Sequence, residues 1–153
     1  MTKRHLLTLV ATACVISTAC GQTAAIEYTG ELQTNFDGKY NFVNLLHLSL
    51  DKKIGKAVNL SLSTISTVKT GDHIIDDLQG FSNIEADNLP LAIAVAGITW
   101  SINENNSLFA GIRRVDEDYF TSDVTGLFTN ASCGIYPTLS CNYPVATFPD
   151  AAI

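Results

Sequence analysis

Long stretches with few charged residues and a two-residue alternation of side chains constrain the fold of this chain more than any other feature. In residues 58–68, Leu60 and Leu62 lie on one side, and small polar residues such as Ser61 lie on the other. Successive side chains of a β-strand point to opposite faces, so this alternation predicts strands with one apolar and one polar face. Five stretches have this strand character: 27–36, 42–50, 58–68, 91–102 and 107–115.

The lengths of these stretches favour strands that cross a membrane. Each has 9 to 12 residues, whereas strands of globular proteins most often have about 5–6. A tilted strand needs roughly 9–11 residues to cross a bilayer. The connections 51–57 and 103–106 are short, whereas 69–90 and the segment from 116 onward are long. Transmembrane barrels have this alternation of short turns and long loops.

The sequence therefore predicts an all-β protein with about five antiparallel strands of an outer-membrane β-barrel, a partial barrel. In that fold Trp100, near a strand end, would belong to an aromatic girdle at the membrane interface, and in a soluble sandwich it would be a core residue. One stretch departs from the alternation, because apolar residues recur at helical spacing over 72–84. We expect a short helix in this long loop, with Asp72 as its cap.

Composition and motifs exclude several classes of function. Charged residues make up 16% of the chain, below the roughly 25% of soluble proteins. The net charge is −6 and the basic residues are scattered, so we expect no nucleic-acid partner. The acidic run 116–118 lacks the spacing of a calcium loop, and no nucleotide-binding or hydrolase motif occurs. We predict no enzyme activity, no cofactor and no metal site.

The first 25 residues have the three parts of a secretory signal peptide. Lys3 and Arg4 precede an apolar run over 6–16, and small residues follow over 17–25. The apolar run is too short to span a bilayer. We predict removal before Ile26, which leaves 26–153 as the mature chain. Alternatively, Cys20 is the acylated residue of a surface lipoprotein, although Ser17 is not the aliphatic residue expected three positions before it.

Export changes the interpretation of the cysteines. Cys133 and Cys141 belong to the mature chain and lie eight positions apart. In an oxidising compartment such a pair favours a disulfide. A zinc site would need further Cys or His close by, and the nearest histidine is His73.

Several segments resemble carbohydrate-selective porins of the OprB type. The most specific are FAGIRRVDEDYF at 109–120, LFTNASCGIYPT at 127–138 and NYP at 142–144, and YTGE at 28–31 and NIEADNLP at 83–90 also match. The resemblance implies an outer-membrane channel of a Gram-negative cell, through which mono- or oligosaccharides diffuse passively into the periplasm. Barrels of this family are longer than this chain, and an aqueous porin channel needs roughly 16–18 strands. We therefore interpret 26–153 as the truncated N-terminal part of a porin barrel in contact with outer-membrane lipid, a homotrimer at full length.

The candidate sugar-binding residues lie where the fifth stretch enters the last long loop. Arg113, Glu117, Asp118 and Tyr119 offer hydrogen-bonding groups and an aromatic ring, which suit a sugar. Arg113 shares its face with Phe109 and should point into the lumen. The alternative is a solvated loop root with ordinary charge pairs. For the whole chain, the alternatives are an exported soluble sugar-binding or adhesive β-domain and the lipoprotein anchored at Cys20.

Overall fold

The computed structural model of the chain describes residues 7–35, 37–74, 82–113, 124, 128–129 and 150–152. These residues form one open antiparallel sheet whose strand order follows the chain. The all-β antiparallel prediction is confirmed. The strands are β1 (Leu7–Ala19), β2 (Gln22–Thr34), β3 (Tyr40–Ile54), β4 (Val58–Gly71), β5 (Leu89–Ser101), β6 (Ser107–Arg113) and β7 (Asp150–Ala152).

The five predicted strands correspond to β2 to β6, and the structure makes most of them longer. Strands β2 to β5 have 13 to 15 residues each. Strand β6 is described over Ser107–Arg113, and positions 114–115 of the predicted strand lie outside the described residues. Strands β2 to β5 are thus much longer than the most common length of about 5–6 residues for strands of globular proteins.

Strand β1 lies in the segment that the sequence assigns to a signal peptide, where no strand was predicted. It pairs with β2 along its whole length, from Leu7 opposite Thr34 to Ala19 opposite Gln22. The signal peptide concerns processing and stays a prediction. Cleavage before Ile26 would remove β1 and the first four residues of β2.

The connections differ between the two ends of the sheet. At one end lie the short turns 20–21, 55–57 and 102–106, and at the other lie 35–39, 72–88 and the segment after β6. Cys20 and Gly21 have φ values of 50° and 72°, as a two-residue turn with both central residues at positive φ requires. Connections 35–39 and 102–106 both have five residues, so the predicted alternation of short and long connections holds from β3 onward and does not include the β2–β3 connection.

The predicted helix over 72–84 has no helical residue in its described parts. Residues 72–74 and 82–84 are not helical, and 75–81 lie outside the described residues. The Asp72 amide donates to the Tyr40 carbonyl oxygen at 2.9 Å, so Asp72 continues the β3–β4 ladder. No helix among the described residues is long and apolar enough to cross a membrane.

The pairing of β5 with β4 contradicts the face that strict alternation assigns to the first residues of β5. Strict alternation places Ala92 and Ala94 on the side of Ile98 and Trp100. The register with β4 slips between Ser63, opposite Val95, and Thr64, opposite Ile93, so one extra residue of β5 forms a β-bulge. Beyond the bulge Ile93, and not Ala92, shares the face of Ile98.

Candidate functional site

The pairing register divides the side chains of β1 to β6 between two faces of the sheet. Residues directly opposite each other in an antiparallel pair point to the same side. We define the apolar face by Ile26, Leu48, Leu62, Ile98 and Leu108, and the polar face by Glu27, His47, Ser61, Gly97 and Phe109.

Charge is almost completely confined to the polar face. Among β1 to β6, the one charged residue on the apolar face is Lys52, near the short-turn end of β3. The remaining charged residues of these strands, with His47, lie on the polar face: Glu27, Glu31, Asp51, Lys53, Lys69 and Arg113. This partition is the strongest chemical signal in the described sheet.

Burial is the reverse of that in a water-soluble sheet. The apolar face is exposed along its whole width, from Val15 in β1 through Ile26 and Leu62 to Trp100 in β5 and Leu108 in β6. The buried apolar residues of the described chain are Val43, Ala94 and Ile84. Val43 lies on the polar face, opposite Lys69. An exposed apolar surface of this extent marks a membrane or protein contact.

A row of directly opposed residues crosses the polar face from β3 to β6, and side-chain hydrogen bonds join its members on β3 and β4. Asp51, Ser61, Gly97 and Gly111 lie directly opposite one another in successive strands. Ser61 Oγ donates to Asp51 Oδ1 at 2.6 Å, and Asn59 Nδ2 donates to the same oxygen at 3.2 Å. The Asp51 carboxylate is therefore held in one position by two donors from β4.

Gly97 makes room for an aromatic ring at the other end of this row, whereas Gly111 lies against the backbone of β5. A Cβ at Gly97 would overlap the Phe109 ring, so that ring lies over the glycine. The Arg113 guanidinium carbon lies 4.6 Å from the centre of the ring, within the range of a cation–π contact. Arg113 and Phe109 thus share the polar face, as the alternation predicts, and the orientation of Arg113 toward a lumen stays a prediction.

A second polar cluster lies on the polar face near the long-loop end. Glu31 is 1% exposed, and its carboxylate accepts hydrogen bonds from Gln33 Nε2 at 2.9 Å and Ser82 Oγ at 2.7 Å. Thr67 Oγ1 donates to the Asp87 carbonyl oxygen at 2.8 Å. Residues 82–88 are therefore held against the polar face, where Glu31 lies directly opposite the buried Val43.

Nearer the middle of the face, Glu27 and His47 form a more exposed pair, 3.0 Å apart between Oε2 and Nδ1. Three or more potential metal-ligating side chains do not come together anywhere in the described part of the chain.

Most of the predicted site lies outside the described residues. Glu117, Asp118 and Tyr119 are there, and so are Cys133 and Cys141, so the predicted sugar contacts beyond Arg113 and the disulfide stay predictions. The two described cysteines, Cys14 and Cys20, are free and exposed.

The sequence analysis did not single out Asp51, Asn59 or Glu31 as functional residues. The sequence did contain a signal that these residues lie on the polar face, because each is a polar residue that alternates with a neighbouring leucine.

Comparison with protein-family models, with characterised proteins and with solved structures finds no significant match for this chain.

Proposed function

We propose that this chain forms part of the wall of a Gram-negative outer-membrane porin, through which carbohydrates diffuse passively into the periplasm. The observation that carries the proposal is the opposition of an exposed apolar face to a polar face with nearly all the strand charges. In a transmembrane barrel the outward face contacts lipid and the inward face contacts water.

Strand dimensions support this orientation. Strand β3 has 15 residues, and a rise of about 3.4 Å per residue gives a length of about 48 Å. At a tilt of about 40° such a strand covers about 37 Å along the membrane normal. The hydrocarbon core is about 30 Å thick, so the strand can cross it and still emerge on both sides.

The chemistry of the polar face supports a sugar as the solute. Hydroxyl and amide groups of Ser61, Asn59 and Thr67 can exchange hydrogen bonds with sugar hydroxyls, and acidic and basic groups both occur there. The resemblance of 109–120 to carbohydrate-selective porins adds the solute class. Sugar contacts at Glu117, Asp118 and Tyr119, and a homotrimer of the full-length protein, belong to the same proposal.

A closed channel needs more strands than the described sheet has. An aqueous porin requires roughly 16–18 strands, and unpaired sheet edges are not tolerated in the hydrocarbon core. Further strands, in a longer chain or in other copies, would have to pair with both edges.

The test is membrane integration combined with solute flux. We expect the chain, produced with its own first 25 residues in a Gram-negative host, to stay in the outer-membrane fraction after alkaline carbonate washing. N-terminal sequencing of that fraction should begin at Ile26. Vesicles in which copies of the chain, or the further strands of a longer chain, close the barrel should swell in iso-osmotic glucose or maltose. Vesicles that contain a closed barrel, shown by heat-modifiable gel mobility, but do not swell in either sugar would refute the channel.

The same experiment separates the alternatives. A soluble sugar-binding or adhesive domain would appear in the periplasmic or culture supernatant and would not need detergent. A lipoprotein would incorporate labelled palmitate, and Cys20→Ser would abolish the label. We expect no palmitate label, because Cys20 lies in the turn between β1 and β2 and within the segment proposed to be removed.

A further inference from the structure

We propose that the tip of the β3–β4 hairpin is a binding site for the phosphate group of an anionic phospholipid, with Lys52 and Lys56 as the binding residues. We call these two lysines the basic tip. The site rests on the proposed contact of the apolar face with lipid, and it adds the class of lipid that the short-turn end of the sheet selects. Neither lysine belongs to the binding residues that the sequence predicts.

Lys52 lies at the border between the apolar face and the turn. It is the one charged residue on that face among β1 to β6, in a row with Leu60 and Ile98, and it comes two residues before the end of β3. The strand covers about 37 Å along the membrane normal, against a hydrocarbon core of about 30 Å. The Lys52 backbone therefore lies near the hydrocarbon boundary, where the long side chain can bring its ammonium group to the lipid headgroups.

The ammonium groups of the basic tip are available to an external anion. Lys52 and Lys56 are exposed, and neither forms an ion pair with any described residue. The neighbouring acid, Asp51, lies on the polar face and accepts hydrogen bonds from Ser61 and Asn59. A lysine close to an anionic membrane surface strengthens binding to it about fivefold, so two unpaired lysines at the boundary favour an anionic lipid over a neutral one.

The charge of the basic tip differs from that of the other connections. The short turns 20–21 and 102–106 contain no basic residue, and the second contains Glu104. At the opposite end of the sheet, the connection 72–88 contains no Lys or Arg and the following acidic residues: Asp72, Asp76, Asp77, Glu85 and Asp87. Positive charge is thus concentrated at one short turn of an acidic chain. Short turns of a transmembrane barrel are periplasmic, so the lipids beside the tip would belong to the leaflet that faces the periplasm.

The turn that carries Lys56 is held against β5, close to Trp100. The Ser101 amide donates to the carbonyl oxygen of Ala57 at 2.7 Å. Trp100 shares the apolar face of this end with Ile54 and is 52% exposed. It is the single tryptophan of the chain, so its fluorescence reports on the lipid beside the basic tip.

The test measures which lipid lies beside Trp100. The protein is folded into vesicles of phosphatidylcholine and phosphatidylglycerol, and one lipid at a time is brominated on the acyl-chain carbons closest to the headgroup. We expect a given fraction of brominated phosphatidylglycerol to quench Trp100 as strongly as an about fivefold or higher fraction of brominated phosphatidylcholine. Lys52→Gln combined with Lys56→Gln should remove this preference.

Two matched controls remove the same charge elsewhere. Lys53→Gln changes the residue next to Lys52, on the polar face, and Lys39→Gln changes an exposed lysine at the opposite end of the sheet. Both variants should keep the preference for phosphatidylglycerol. Gel mobility before and after heating shows that each variant is folded.

The outcomes separate this site from the proposed function. Equal quenching by the two brominated lipids, or a preference that Lys53→Gln reduces as much as Lys52→Gln does, would overturn the site and leave the channel standing. A preference that inorganic phosphate removes, and that sodium chloride of the same ionic strength does not, would identify a free anion as the ligand and would also overturn the site. A preference lost only in the Lys52 and Lys56 variants, in a protein that supports no swelling, would support the site and overturn the channel. Quenching by neither lipid would overturn the lipid contact of the apolar face, and the site with it.

Discussion

Replacing Leu48 by arginine tests whether the apolar face contacts lipid or water. Leu48 lies near the midpoint of β3, between Ile26 and Thr64 on the apolar face. At about 3.4 Å per residue and a tilt of about 40°, it lies about 16 Å above the short-turn end of the strand. This height is close to the middle of a hydrocarbon core of about 30 Å.

The expected cost of Leu48→Arg follows from that depth. Arginine at the lipid-facing midplane of a barrel costs about 2–4 kcal/mol, which lowers the ratio of folded to unfolded protein about 30- to 1000-fold. In water, the 36% exposed Leu48 side chain could be replaced at a cost within about 0.5 kcal/mol. The two environments therefore predict effects that differ by more than the error of a stability measurement.

The assay is urea-induced unfolding of protein inserted in phosphatidylcholine vesicles, with the folded fraction measured by gel mobility. Ser49→Arg is the matched control, because it adds the same side chain one residue away on the polar face. We expect Ser49→Arg to change the unfolding free energy by less than about 1 kcal/mol. Equal unfolding free energies for Leu48→Arg and Ser49→Arg would refute the assignment of the apolar face to lipid.

Three further measurements test the packing and orientation of the sheet. Gly111→Ala places a Cβ against a backbone carbonyl oxygen of β5 at a φ of 150°, and we expect a loss of about 3 kcal/mol or outright misfolding in the same urea assay. Gly38→Ala is the control, because Gly38 has a φ of 88° and a Cβ there would contact no atom, so we expect a cost of only about 1 kcal/mol. Equal losses for Gly111→Ala and Gly38→Ala would contradict the close approach of β5 and β6 at Gly111. Glu31→Ala leaves two hydrogen-bond donors without their acceptor, which we expect to cost about 1–3 kcal/mol for each donor. Glu27→Ala breaks an exposed pair, which we expect to cost less than about 1 kcal/mol. Similar losses of unfolding free energy in the two variants would mean that Glu31 does not hold residues 82–88. Trp100 is 52% exposed on the apolar face, so brominated lipids should quench its fluorescence more than aqueous iodide does, and the opposite order would place this face in water.

The sequence predicted the faces of the regular strands because that information is local. In β3, β4 and β6 the period of two holds without interruption, so the order of residues alone separates Leu46 from His47 and Leu62 from Ser61. Segregation of the charges follows from the same alternation.

The bulge in β5 had a signal in the sequence that strict alternation overlooked. Large apolar residues of this stretch occupy odd positions at Ile93 and even positions at Ile98 and Trp100. No uninterrupted strand can put all of them on one face. The slip at Ala94 brings Ile93 into line with Ile98, so the irregular backbone keeps the apolar face continuous.

Contacts on the polar face join residues that are far apart in the sequence, so a local pattern of residues does not predict them. The hydrogen bond from Ser82 to Glu31 joins residues 51 positions apart. It requires the long loop to fold back over β2, and nothing in the spacing of polar residues specifies that path. The row from Asp51 to Phe109 likewise depends on the registers of three strand pairs.

Strand β1 differs from its neighbours in a way that bears on the proposed signal peptide. Strands β2, β3 and β4 place charged residues on the polar face, whereas β1 places no charged residue there and presents the exposed Val10 and Ile16 among threonines. As part of a channel wall, β1 would present these apolar side chains to the water-filled lumen, at a cost of about 25 cal/mol for each Å² of apolar surface left in water. The same uncharged apolar run meets the requirement of an export signal. Removal of the proposed leader would leave the edge of β2, with its partitioned faces, available to pair with another strand.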